Sequence, residues 1–105
     1  MKPICEINSS GDKFWYLNGK LHREDGPAVE YSNGNQTWYF DGRIHREGGP
    51  SIETVDGIKY WHRHGFIHRV DGPAIEHSSK KEYWLNHVKC SFEEWDKLRK
   101  LTYLF

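Results

Sequence analysis

Apolar and aromatic positions along this chain come in short alternating bursts broken by glycine-containing turns, and the bursts recur every 23 residues. Trp15, Trp38, Trp61 and Trp84 hold that interval. So do His22, His45 and His68; Arg23, Arg46 and Arg69; Gly26, Gly49 and Gly72; Pro27, Pro50 and Pro73; and Glu30, Glu53 and Glu76. Six columns in phase mark stacked copies of one small unit. Complete copies span 15–37, 38–60 and 61–83, a partial copy spans 84–90, and residues 1–14 supply an N-terminal strand or cap.

Each copy carries two turn signals. Asn18-Gly19, Asp41-Gly42 and His64-Gly65 form one series; Asn33-Gly34 and Asp56-Gly57 form the other. Both central residues of a two-residue hairpin turn need positive φ, which Asn, Asp and Gly tolerate best. The segments between turns are aromatic and β-branched, so the pattern predicts a meander of two strands per repeat. Ser79-Lys80 stands where copy three should have its second glycine turn, which predicts a looser or differently built hairpin there. Alternation puts Trp15, Leu17, Leu21 and Val29, with their counterparts, on a packed face. Tyr16, Tyr39, His62, His22, Glu30, Glu53 and Glu76 fall on the other. Pro27 cannot donate to a ladder, so Glu24-Asp25-Gly26-Pro27 reads as a bulge or corner.

After Cys90 the period changes. Ser91-Phe92-Glu93-Glu94 has the form of a capping box. Phe92, Trp95, Leu98 and Leu101 or Thr102 follow at helical spacing. The predicted fold is therefore all-β: a single-layer twisted β-meander of hairpin repeats, closed by a short capping α-helix within 91–105. Such a cap covers the strand edge that the last repeat would otherwise leave open.

At 105 residues the chain makes one domain. Its mean hydropathy is -0.88, but aromatics make up 15% and are placed periodically, which predicts a thin aromatic core rather than disorder. The formal net charge is zero, so bulk charge gives no support to a nucleic-acid partner. No apolar run is long enough to span a bilayer and no secretory segment is seen, so a cytoplasmic protein is expected. Cys5 and Cys90, at opposite ends of the array, are expected as free thiols.

The unit WYLNGKLHREDGPAVE of copy one, with its counterparts, resembles the MORN repeat. It is closer to the variant WYxNGxLHRxDGPA, found in small phage and bacterial proteins that end in a short helix with a Ser-x-x-Glu-Trp start. The likeness covers residues 14–95. It implies a curved sheet of hairpins that binds other molecules, and supplies no catalytic residue. The chain departs from the pattern at Gly48, Lys80 and His87.

Candidate chemistry follows from the columns. Two strands per repeat place equivalent histidines about 10 Å apart, so His22, His45 and His68 cannot share one metal ion, whose ligands sit about 2 Å away. His62, His64, His68, His77 and His87 fall in or beside one copy, where a fortuitous surface cluster is weighed against a transition-metal site. Arg23, Arg46 and Arg69 beside Glu30, Glu53 and Glu76 form either an internal ladder tying neighbouring hairpins or an anion-binding row. Tyr16, Tyr39 and Tyr31 with nearby arginines form either cross-strand pairs or a base-stacking platform. No nucleophile elbow or phosphate-cradling loop is present, so neither catalysis, a cofactor nor a bound metal is expected. The expected function is a non-enzymatic protein-binding module. It would use its polar-aromatic face or the edge strand near residues 4–8, and the resemblance suggests a phage-type inhibitor of a host defence protein. The alternatives are a sponge for nucleotides or other small anions, and a homodimer or self-assembling structural protein.

Overall fold

A computed structural model describes residues 2–101. Its strands are β1 (Ile4–Ile7), β2 (Lys13–Leu17), β3 (Lys20–Leu21), β4 (Val29–Glu30), β5 (Gln36–Thr37), β6 (Tyr39–Phe40), β7 (Arg43–Ile44), β8 (Ile52–Glu53), β9 (Lys59–Tyr60), β10 (His62–Arg63), β11 (Phe66–Ile67), β12 (Ile75–His77), β13 (Lys80–Leu85) and β14 (Val88–Cys90). One helix, α1 (Phe92–Leu98), follows. The main sheet is antiparallel and runs β1-β2-β4-β5-β8-β9-β12-β13-β14, with β3 beside β2; β6–β7 and β10–β11 are separate hairpins. The fold is thus the expected open all-β meander with a helical cap.

Each copy contains two hairpins and four short strands, not the two strands expected. Both turn series close hairpins, and the second strand is cut where the Gly-Pro corner intervenes. Pro27, Pro50 and Pro73 have no N–H to continue a ladder. The next residue's carbonyl (Ala28, Ser51 or Ala74) instead accepts the N–H of Trp15, Trp38 or Trp61. The carbonyl of each of these tryptophans then accepts from His22, His45 or His68, which closes the first hairpin.

In the first series both central residues have positive φ, as at Asn18 (52°) and Gly19 (76°); at the last turn His87 holds 69° without glycine's freedom. The second series forms five-residue loops. Tyr31 N–H bonds Asn35 O, and Gly34 N–H bonds Tyr31 O. The same bonds recur at Thr54–Ile58 and also at Asn8–Asp12. The segment before Trp15 therefore repeats the second hairpin, although it lacks the Trp, His-Arg and Gly-Pro columns. In copy three the turn is indeed differently built, but tighter: β12 and β13 pair up to His77–Lys80, leaving only Ser78 and Ser79 between them.

Register divides the sheet into two rows. Phe14, Val29, Thr37, Ile52, Tyr60 and Ile75 lie opposite one another in succession. Lys13, Glu30, Gln36, Glu53, Lys59, Glu76 and Lys81 do the same. Directly opposed residues share a face, so one face is apolar and the other carries opposed charges. The glutamate column falls on the charged face, as alternation predicts. His22 does not: it is 3% exposed, buried between copies.

The molecule is thin, with extents of 46 × 31 × 18 Å. Within the repeats, however, the most deeply buried residues are not aromatic. Ala28, Ser51 and Ala74 have no exposed surface and Val29 almost none, while the repeat tryptophans are half-buried. Small residues occupy the tightest column, where the backbone carbonyl is bonded to the tryptophan N–H of the facing segment. Both cysteines are free thiols. Among the described residues no helix is long and apolar enough to cross a membrane.

Ser91 caps α1 by accepting from Glu94 N–H at 3.1 Å, and Glu94 accepts from Ser91 N–H at 2.9 Å. Burial of Trp95 holds the helix on β13 and β14: its ring lies 4.7 Å from Tyr83, and its Nε1 donates to Arg69 O at 2.8 Å. Thr102 and the rest of the expected 91–105 cap lie outside the described residues. Ser91→Ala is expected to destabilise the protein by about 1 kcal/mol, measured by urea unfolding, because a seven-residue helix has little stability of its own.

Candidate functional site

The invariant columns assemble three equivalent rungs. The Arg23 guanidinium lies flat over Trp15, 3.9 Å from the ring centre; Arg46 covers Trp38 at 3.9 Å and Arg69 covers Trp61 at 3.8 Å. In each rung Nη1 donates to the prolyl carbonyl of Pro27, Pro50 or Pro73 at 3.0–3.1 Å. Nη1 also faces Glu30 at 3.1 Å, Glu53 at 3.4 Å and Glu76 at 3.9 Å. On the other edge Nε donates to Asp25 at 3.0 Å and to Asp71 at 2.9 Å. Glycine gives the guanidinium room to sit close to the backbone. A Cβ on Gly26, Gly49 or Gly72 would sit 3.0, 2.8 or 2.7 Å from the arginine Cζ.

The sequence pattern is therefore a stacking code: Trp below, Arg on it, Gly-Pro against it, Glu and Asp at its edges. The ladder is internal, but each Arg–Glu pair lies within one copy and does not tie neighbours together, as was expected of it.

Between copies, histidine side chains add to the backbone pairing of the sheet. His22 Nδ1 accepts the Asp41 N–H, His45 the His64 N–H and His68 the Asn86 N–H, each at 3.0 Å. Each bond joins one copy to the first turn of the next. On the opposite rim Asp12 accepts from Ser32 N–H at 2.7 Å, and Asn35 accepts from Val55 N–H at 2.9 Å. The Ser32 N–H and then Asn8 hold the Asp12 carboxyl below its usual range.

The wider histidine set does not converge. His64 stacks on His45 at 4.3 Å, and His87 lies against Phe66 and Trp84. His62, expected on the open face, is half-buried, with Nδ1 2.7 Å from the hydroxyl of buried Ser51. Burial, and then the neighbouring His87, lower its pKa to about 4. Burial and then Arg63 lower that of His68. Among the described residues no three His, Cys, Asp or Glu side chains are placed to hold a metal ion.

Tyr16 and Tyr39, expected on the open face, are half-buried, and burial followed by Tyr31 raises the Tyr39 pKa. Tyr31 is exposed but packs edge-on against Phe14.

Two surface features remain open. Clefts separate successive rungs; the one between the first two measures about 660 Å³ and is lined by Arg23, Asp25, Trp38, Phe40 and Arg46, among others. The free edge of β1 carries Ile4 at 71% and Ile7 at 63% exposure. The Trp beneath each Arg was legible only as an eight-residue spacing, and nothing periodic marks β1. No protein-family model, curated protein or solved structure matches this chain.

Proposed function

We propose that this chain is a non-enzymatic protein-binding module that takes an extended segment of another protein along the free edge of β1. One observation carries this reading: the two ends of the sheet are unlike. At the far end α1 packs on β13 and β14. At the near end no strand among the described residues pairs with β1 on the side away from β2, and its isoleucines face solvent. An unpaired edge offers a row of backbone donors and acceptors for an added strand, with pockets between side chains giving selectivity. The resemblance to MORN-like phage proteins, which rests on the residues alone, makes a host protein the partner and inhibition the outcome. The anion-sponge reading is less favoured, because each guanidinium already has a glutamate beside it and a prolyl carbonyl on Nη1, and two of the three also have an aspartate on Nε.

Ile4→Lys with Ile7→Lys tests the reading. Both side chains are exposed, so Tm should move by no more than ~1–2 °C. Capture of a partner from host lysate should be lost, and in the wild-type complex the amides of residues 4–7 should gain protection from hydrogen exchange. Capture that survives the double substitution sinks the proposal. Light scattering of the protein alone reports a homodimer formed through the same edge.

A further inference from the structure

Copy two has a vacancy that its neighbours fill. In copies one and three the arginine Nε donates to an aspartate two residues on, Asp25 or Asp71. In copy two that position is Gly48, and among the described residues Arg46 makes hydrogen bonds only through Nη1, to Pro50 O and Glu53. Gly48 is held at φ +80°, unlike Asp25 and Asp71, and the space beside it is open: a Cβ there would meet nothing within 4 Å. The Arg46 side chain is 29% exposed, against 21% for Arg23 and 20% for Arg69. Its orientation is nevertheless fixed by Trp38 on one face and by the prolyl carbonyl at its far edge. A guanidinium held rigid with one donor edge facing an open cleft has lost its rotamer entropy in advance, which lowers the cost of accepting a ligand there.

The geometry points to a binding site for a single carboxylate, the side chain of an acidic residue on a partner, seated on the Nε edge of Arg46 where Asp25 and Asp71 sit in the adjacent copies. A free carboxylate, unlike an aspartate tethered two residues away, can lie across the outer edge of the fork and accept two parallel hydrogen bonds. The clefts on either side also hold Asp25 and Asp71. Their charges disfavour a phosphate dianion more than a carboxylate, which selects the monoanion. This site is separate from the β1 edge and does not depend on it.

The probes are acetate and a short peptide of three glutamates, titrated into the folded chain while the arginine Nε–H resonances are followed by NMR. The Arg46 resonance should shift and saturate, with half-saturation at least tenfold below that of N-acetylarginine amide, and those of Arg23 and Arg69 should hardly move. Acetate alone reports a site for free carboxylates; tighter binding of the peptide assigns it to acidic protein segments. Gly48→Asp puts a carboxylate beside Arg46 at the cost of a strained φ of +80°, and where it folds it should silence Arg46. Asp71→Gly recreates the vacancy one copy on and should make Arg69 respond. This second variant keeps the test decisive if Gly48→Asp fails to fold. An Arg46 response no stronger than that of the reference amide, a stronger response to inorganic phosphate, or an Arg69 that stays silent in Asp71→Gly would overturn the proposal.

Discussion

Arg69→Ala is expected to destabilise the protein by about 3 kcal/mol. Three contributions are lost together. The guanidinium stacks on Trp61, and a partly desolvated cation–π contact stabilises by ~1–2 kcal/mol. Its Nη1 bond to the Pro73 carbonyl is charge-assisted, and removal strands an acceptor at a half-buried corner, at a cost of about 1–2 kcal/mol. The ion pair to Asp71 reaches an exposed carboxylate and that to Glu76 is long at 3.9 Å, so together they add at most about 1 kcal/mol. These terms share one side chain and do not simply add. For a small array whose total stability lies in the range of ~5–15 kcal/mol, the loss is large. Arg46→Ala should cost less, because Gly48 leaves that rung without its aspartate bond. Gly72→Ala should act in the same direction as Arg69→Ala, since its Cβ would press on the guanidinium from 2.7 Å. Urea unfolding followed by tryptophan fluorescence measures all three. A cost below about 0.5 kcal/mol for Arg69→Ala would place the rung among ordinary surface ion pairs.

The rungs also show how far the chain could be read without coordinates. Period, turn positions, helix and cap box were legible because each depends on local chemistry: positive φ at Asn-Gly, the missing N–H of proline, the Ser91–Glu94 reciprocity. The arginine column was legible as an internal ladder with its glutamates, but the tryptophan under each arginine was not. Arg23 and Trp15 are eight residues apart, and they meet only because the hairpin between them folds the chain back. Strict alternation failed for His22 because it follows the short strand β3, outside the two-residue period of the ladder, and turns its ring toward the next copy. The expected sharing of strands between faces likewise hid the Ala28, Ser51 and Ala74 column, whose small size was the only trace of the tightest packing. The vacancy at Gly48 was visible in the sequence as a departure from the pattern. Its meaning needed Asp25 and Asp71 to be seen at their arginines.

Acid should loosen the array well before its carboxylates titrate. His62 has a folded-state pKa of about 4, against an ordinary value of 6.5. A group whose folded pKa is depressed binds its proton first in the unfolded chain, so unfolding is favoured as pH falls from 6.5 toward 4. At about 1.4 kcal/mol per pH unit, His62 alone contributes a loss on the order of 3 kcal/mol across that window. His68 is shifted the same way by burial and Arg63, and adds to the slope. The geometry agrees with the sign. His68 Nδ1 must be unprotonated to accept the Asn86 N–H, so a proton there would oppose the bond joining the third copy to the last turn. The groups around His62 do not favour its cation: Ser51 and Tyr60 are neutral, and His87 would add a like charge. The carboxylates held low, Asp12, Glu94 and Asp96, lose their contribution only as pH falls below about 4.5, where the unfolded forms begin to protonate. Urea unfolding at pH 7 and pH 4.5 should therefore differ by about 2–3 kcal/mol, and His62→Gln should remove most of that difference while keeping an acceptor and donor near Ser51. Equal stability at the two pH values, or an undiminished slope in His62→Gln, would show that the half-buried imidazole is not what makes this stack acid-labile.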